Sequence, residues 1–99
     1  MLKLTNRNFE KEIADGLTMV IFGTNWCGFC KMLEPIAEEF SIKHENVKVG
    51  KVDADSEKEL ADLYKVDAYP TIIIFKDGRV TDKKMSGMQS IESLENMIA

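Results

Sequence analysis

The chain has 99 residues, 44% of them hydrophobic and 30% charged, with 13 Lys+Arg against 17 Asp+Glu for a net charge of −4. That length suits a single domain over residues 1–99, and the ordinary hydrophobic share excludes disordered and low-complexity classes. A mildly acidic chain without a basic cluster is a poor nucleic-acid binder, and no apolar run reaches the ~18–20 residues that span a bilayer. Leu2–Leu4 reads as a short edge strand. Asn6 to Asp15 reads as a helix with Phe9 and Ile13 on one face and Gly16 as its stop. Thr18-Met19-Val20-Ile21-Phe22 is a short β-prone run, fit for a strand buried on both faces.

From Cys27 to about Lys43 the period turns helical: Cys30, Leu33, Ile36, Ala37 and Phe40 recur at steps of three and four. Pro35 lies inside and is expected to kink this helix, since the apolar period resumes beyond it. Asn46 to Asp53 alternates, with Val47, Val49 and Lys51 pointing one way. Ser56-Glu57-Lys58-Glu59 has the form of a capping box before a helix with Leu60, Leu63 and Tyr64 on its face. Thr71–Phe75 and Val80–Met85, joined through Lys76-Asp77-Gly78-Arg79, predict a hairpin. Ser90 is placed to cap a last helix carrying Ile91, Leu94 and Ile98. The order βαβαβαββα predicts an α/β fold with a central mixed sheet and helices on both faces.

The two cysteines are not scattered; they stand as Cys27-Gly28-Phe29-Cys30. At a helix start, residues i and i+3 share a face about 4.5 Å apart in rise, within the span a disulfide tolerates. If Cys27 is the N-cap, its sulfur faces unpaired N–H groups and the positive helix end, which favours thiolate there. Cys30, one turn in, is expected to be the more buried and less reactive thiol. These positions make Cys27 the attacking sulfur and Cys30 the resolving one in thiol–disulfide exchange. A structural zinc site needs four ligands, and His44 is the one other soft ligand here, so no metal is expected. His44 itself reads as an exposed loop residue. Met1 to Asn6 lacks the pattern of a signal peptide, so a cytoplasmic location is expected.

Trp26-Cys27-Gly28-Phe29-Cys30-Lys31, then Pro35, then Tyr69-Pro70-Thr71 before a β run, then Lys76-Asp77-Gly78, resembles the thioredoxin family over essentially the whole chain. The resemblance implies a thioredoxin fold and a dithiol–disulfide oxidoreductase that reduces protein disulfides through a mixed disulfide, without a bound cofactor. It further implies that Cys27 is the nucleophile and Cys30 the resolving cysteine. Trp26 would cover the dithiol, Pro70 would be cis and pack opposite the sulfurs, and Tyr69, Pro70 and Gly87 would border the substrate surface. Gly28, Phe29, Lys31 and Lys51 complete the implied active-site surroundings. Disulfide-containing proteins and a thioredoxin reductase-type electron donor are the implied partners, with a monomeric chain acting in cytosolic redox homeostasis. Trp26 can also be read as a core aromatic, and Met32 and Met88 as substrate contacts. Two positions depart from the family. Ile21 stands where a buried Asp is usual, beside a retained Lys51, and Phe29 stands where Pro is usual. Phe29 restores a backbone N–H that is expected to point toward the Cys27 sulfur. A glutathione-coupled, glutaredoxin-like reductase and a non-catalytic binding module using the Trp26–Pro70–Gly87 face are the alternative functions.

Overall fold

A computed structural model describes all residues, 1–99. Nine elements follow one another: β1 (Leu2–Leu4), α1 (Phe9–Ile13), β2 (Leu17–Gly23), α2 (Gly28–Lys43), β3 (Val47–Asp53), α3 (Lys58–Leu63), β4 (Thr71–Lys76), β5 (Arg79–Ser86) and α4 (Ile91–Met97). The strands form one mixed sheet in the order β1-β3-β2-β4-β5. β1, β3 and β2 run parallel, whereas β4 is antiparallel to β2 and β5 to β4. The order expected from the sequence is the order found.

β2 is central, and its apolar run serves both faces. Val20 and Phe22 join a cluster with Phe9, Ile13, Leu60 and Ala61 from α1 and α3. Met19 and Ile21 join the opposite cluster with Leu33, Ala37, Phe40, Leu94 and Met97 from α2 and α4. Period-2 geometry alternates the side chains between the two layers. Each fully buried Phe or Ile contributes about 1.5–3 kcal/mol of transfer free energy, so these two layers dominate what holds the sheet.

α2 runs unbroken through Pro35 from residue 28 to 43, and Pro35 sits on its exposed side. On β3, Val47 and Val49 are buried and Lys51 is exposed, but the alternation breaks because Gly50 is buried too. A Cβ on Gly50 would lie 2.6 Å from Leu4 Cδ1, so the missing side chain is what lets Leu4 of β1 seat against β3. The hairpin turn has positive φ at both Asp77 (49°) and Gly78 (84°), which suits the right-handed twist of its strands. Asp77 Oδ1 accepts the Gly16 N–H at 2.8 Å, and the Gly78 N–H donates to Ile13 O at 2.9 Å. The turn is thereby fastened to the loop between α1 and β2.

The capping box at Ser56 does not form. The N-cap of α3 is Glu57, without a side-chain cap bond. Glu57 Oε1 instead accepts the Asn6 N–H, and Ser56 Oγ donates to Asp53 Oδ2. The face that meets the sheet is carried by Leu60, Ala61 and Tyr64, which leaves Leu63 exposed at its edge. Ser90 caps α4 as expected, its Oγ accepting the Ser93 N–H at 3.1 Å. His44 is not a free loop residue. It ends α2, stacks on Phe40 with centroids 4.6 Å apart, and shares a 2.8 Å hydrogen bond with Glu95.

Candidate active site

β2 ends at Gly23 and the chain turns through residues 24–26 into α2, which brings the dithiol to the end of the central strand. Cys27 is the N-cap of α2, in extended conformation (φ −89°, ψ 114°), and its Sγ accepts the Cys30 N–H at 3.2 Å. A sulfur thus fills the capping position that Ser or Asp usually takes, satisfying one of the orphan N–H groups of the first turn. The donor is the Cys30 N–H and not that of Phe29. The expected Phe29 donation to Cys27 is therefore replaced by a bond that proline at position 29 would leave intact.

Both cysteines are free thiols. The expected order of exposure is reversed: Cys27 is 9% exposed and buried, whereas Cys30 is intermediate. The cause lies in β2. A Cβ at Gly23 would stand 3.0 Å from Cys30 Sγ and 3.3 Å from its Cβ, so Cys30 rests on the bare backbone at the strand end and borders an open cavity. Its acidity is nonetheless lower than is usual for a thiol. Burial, then the hydrogen bond with Cys27, push the Cys30 thiol up to about 11, against a bond to the Thr24 backbone that pulls it down.

Around the dithiol lies an exposed apolar rim. Trp26 is 69% exposed, which excludes the core reading; Phe29 and Met32 are exposed as well. Trp26 Nε1 donates to Asp55 Oδ2 at 2.8 Å, and its ring meets Tyr69 edge-on with centroids 5.9 Å apart. The Tyr69–Pro70 peptide is cis, Pro70 is buried, and Pro70 O accepts the Gly87 N–H at 2.8 Å. Gly87 has φ +88°, a conformation that strains any other residue. Contacts therefore link Trp26, Tyr69, Pro70 and Gly87 in series. Met88, next to Gly87, is also exposed. Gly28 has nothing within 4 Å of where a Cβ would stand, so it is not needed for space.

The cavity beside Cys30 has a volume of about 380 Å³ and is bordered by Ile21, Gly23, Thr24, Lys31, Glu34 and Lys51, among others. Ile21 is 7% exposed and presents no polar atom there. Lys51 Nζ pairs with Glu34 Oε1 at 2.5 Å. The Thr24 hydroxyl is buried without a partner. Sequence reasoning missed Gly23, Thr24, Glu34 and Asp55. Glu34 had a signal, since it stands four residues beyond Cys30 and so on the same helix face. Asp55 and Gly23 had none, because their roles depend on how loops from separate strands meet.

Comparison with known proteins agrees with this geometry. The thioredoxin family model matches residues 1–99. A thioredoxin from Chlamydia pneumoniae is 38% identical over 95 residues, which is 96% of this chain and 92% of that protein. A Staphylococcus aureus thioredoxin is 35% identical over 99 residues, covering 99% and 94% of the two chains. The X-ray structure of Fasciola hepatica thioredoxin superposes with a TM-score of 0.88 at 33% identity, covering 99% of this chain and 97% of that one. With its dithiol at the head of α2 and its fold shared throughout, the chain belongs to the thioredoxin family.

Proposed function

We propose that Cys27 is the attacking and Cys30 the resolving cysteine of this dithiol–disulfide oxidoreductase, and that the 99 residues work as one domain and as a monomer. One observation carries the assignment. Cys27 caps a helix N-terminus and receives an N–H at its sulfur, whereas burial and Cys27 itself hold the proton on Cys30. The Cys27 thiolate attacks a substrate disulfide, one substrate sulfur leaves as thiolate, and a mixed disulfide remains. Bonding Cys27 to substrate removes its charge and its thiol hydrogen bond, two of the causes that keep Cys30 protonated. Cys30 then loses its proton and attacks Cys27 Sγ. The second substrate sulfur departs with the electron pair, and the chain is left oxidised by two electrons.

The rim of Trp26, Phe29 and Met32, continued by Tyr69, Pro70 and Gly87, supplies an apolar surface with backbone nearby, suited to an extended substrate segment. A flavoenzyme of the thioredoxin reductase type, in the cytoplasm, returns the two electrons. Insulin reduction with alternative electron sources tests this reading. Turnover with thioredoxin reductase and NADPH is expected, and it is lost in Cys27→Ser. Turnover with glutathione alone would replace the reductase by a glutathione-coupled route. Activity retained in Cys27→Ser would overturn the assignment of the nucleophile.

A further inference from the structure

Ile21 and Lys51 are partners in the β2–β3 ladder, so their side chains leave the sheet side by side toward α2. Cys30 stands over Gly23, two residues along β2 from Ile21. Glu34 stands one helical turn beyond Cys30 and holds Lys51. Four helical residues rise about 6 Å and two strand residues about 6.6 Å, so the two steps match. The Glu34–Lys51 pair therefore sits roughly one such step from the Cys30 sulfur, in the same cavity.

The charged groups facing this cavity are Lys31 and Glu34 from α2, Lys51 and Asp53 from β3, Lys3 from β1, and the amino group of Met1. The Met1 amino group is taken by Glu38. Asp53 is also engaged, its two oxygens accepting the Asp55 N–H and the Ser56 hydroxyl. Lys3 and Lys31 form no ion pair, so Lys51 is the cavity lysine neutralised by a carboxylate.

We propose that Glu34 is a positioning residue that restrains the resolving step: it ties up the Lys51 cation and adds a negative charge to the cavity into which the Cys30 thiolate must form. The proposal rests on Cys30 being the resolving thiol. Glu34 is not cast as the proton acceptor, because a carboxylate is a far weaker base than a thiolate and cannot hold that proton. Its influence on a thiolate is the repulsion of like charge. The proton leaves to solvent in the cavity, which at about 380 Å³ far exceeds the ~10–15 Å³ a water requires. The Cys30 thiolate then attacks Cys27 Sγ, the Cys27–substrate S–S bond breaks, and the electron pair departs on the substrate sulfur.

Glu34→Gln keeps the shape, removes the negative charge and leaves Lys51 unneutralised. Both side chains are about half exposed, so screening limits the effect to roughly a twofold to tenfold faster resolution near pH 7. Lys51→Met is expected to slow it, and raised salt to shrink both differences. A merely structural pair would give slower resolution in both variants. The test has two readouts. One is single-turnover release of substrate from a preformed Cys27 mixed disulfide over pH 6–9. The other is an NMR titration of the Cys30 ¹³Cβ resonance in Cys27→Ser, with and without Glu34→Gln. The proposal expects the Cys30 titration to move to lower pH in Glu34→Gln and to higher pH in Lys51→Met. A midpoint that is unmoved or raised in Glu34→Gln overturns it. The titration needs no turnover, so it judges Glu34 separately from the assignment of the two cysteines.

Discussion

Gly23→Ala adds one methyl group where β2 meets the dithiol. Gly23 lies outside the left-handed region, so alanine brings no backbone strain and the perturbation is a contact alone. The new Cβ would stand 3.0 Å from Cys30 Sγ and 3.3 Å from Cys30 Cβ. Ordinary contacts of this kind begin near ~3.4–3.5 Å, so Cys30 or the strand end must yield by a few tenths of an ångström. Cys30 is in the first turn of α2, whose next turn is anchored by buried Leu33, and it cannot swing freely. Overpacking of this size costs about 1–2 kcal/mol. Displacing the resolving sulfur also disturbs its line of attack on Cys27; since a 1 Å misplacement costs ~100-fold, a shift of a few tenths of an ångström is expected to slow resolution by roughly twofold to fivefold. Urea unfolding of the reduced chain and single-turnover release from the mixed disulfide measure the two effects. Attack by Cys27, followed as adduct formation in a Cys30→Ser background, is expected to be unchanged. Resolution as fast as in the parent, with stability within about 0.5 kcal/mol, would refute the close seating of Cys30 on Gly23.

The pH dependence of stability is expected to differ between redox states. The Cys30 thiol titrates at about 11 in the folded chain against 9.0 ordinarily, so between these values the unfolded chain has lost a proton that the native chain keeps. Stability of the reduced form therefore falls as pH rises through this window, by about 1–2 kcal/mol after solvent screening, and denaturation of oxidised and reduced chains at pH 8 and pH 11 checks it. Phe29→Ala and Met32→Ala remove exposed side chains; stability should hold within ~0.5 kcal/mol while KM for insulin rises and kcat for a small disulfide is unchanged. Phe22→Ala removes a ring buried in the α1/α3 layer and is expected to cost about 3–5 kcal/mol in urea unfolding, with no other site-directed effect.

Features that depend on local chemistry were readable in the sequence. The alternation of elements, the two-faced β2, the Asp77-Gly78 turn and the Ser90 cap each follow from residues adjacent in the chain. So did Cys27 as N-cap. The rest depends on tertiary competition. Ser56 had the composition of a capping box, but Asp53 claimed its hydroxyl and Asn6 claimed Glu57, so the helix began one residue later. Leu63 faces solvent because packing against the sheet selects Leu60, Ala61 and Tyr64. The exposure of the two cysteines could not be ranked from their order in a helix, because the bare backbone of Gly23 makes room for Cys30 beside a cavity. The link from Trp26 to Asp55 joins two loops 29 residues apart, and no periodicity encodes it. The Glu34–Lys51 pair joins α2 to β3 in the same way.

The division of labour between the two sulfurs is tested most directly by trapping. Cys30→Ser and Cys27→Ser are each mixed with a protein disulfide at neutral pH, quenched with acid, and mapped by peptide mass spectrometry. Accumulation of a mixed disulfide on Cys27 in the Cys30→Ser chain, with little adduct on Cys30 in the other, is the predicted result. Equal or greater adduct on Cys30 would contradict the roles drawn from the Cys27 cap and the protonated Cys30 thiol.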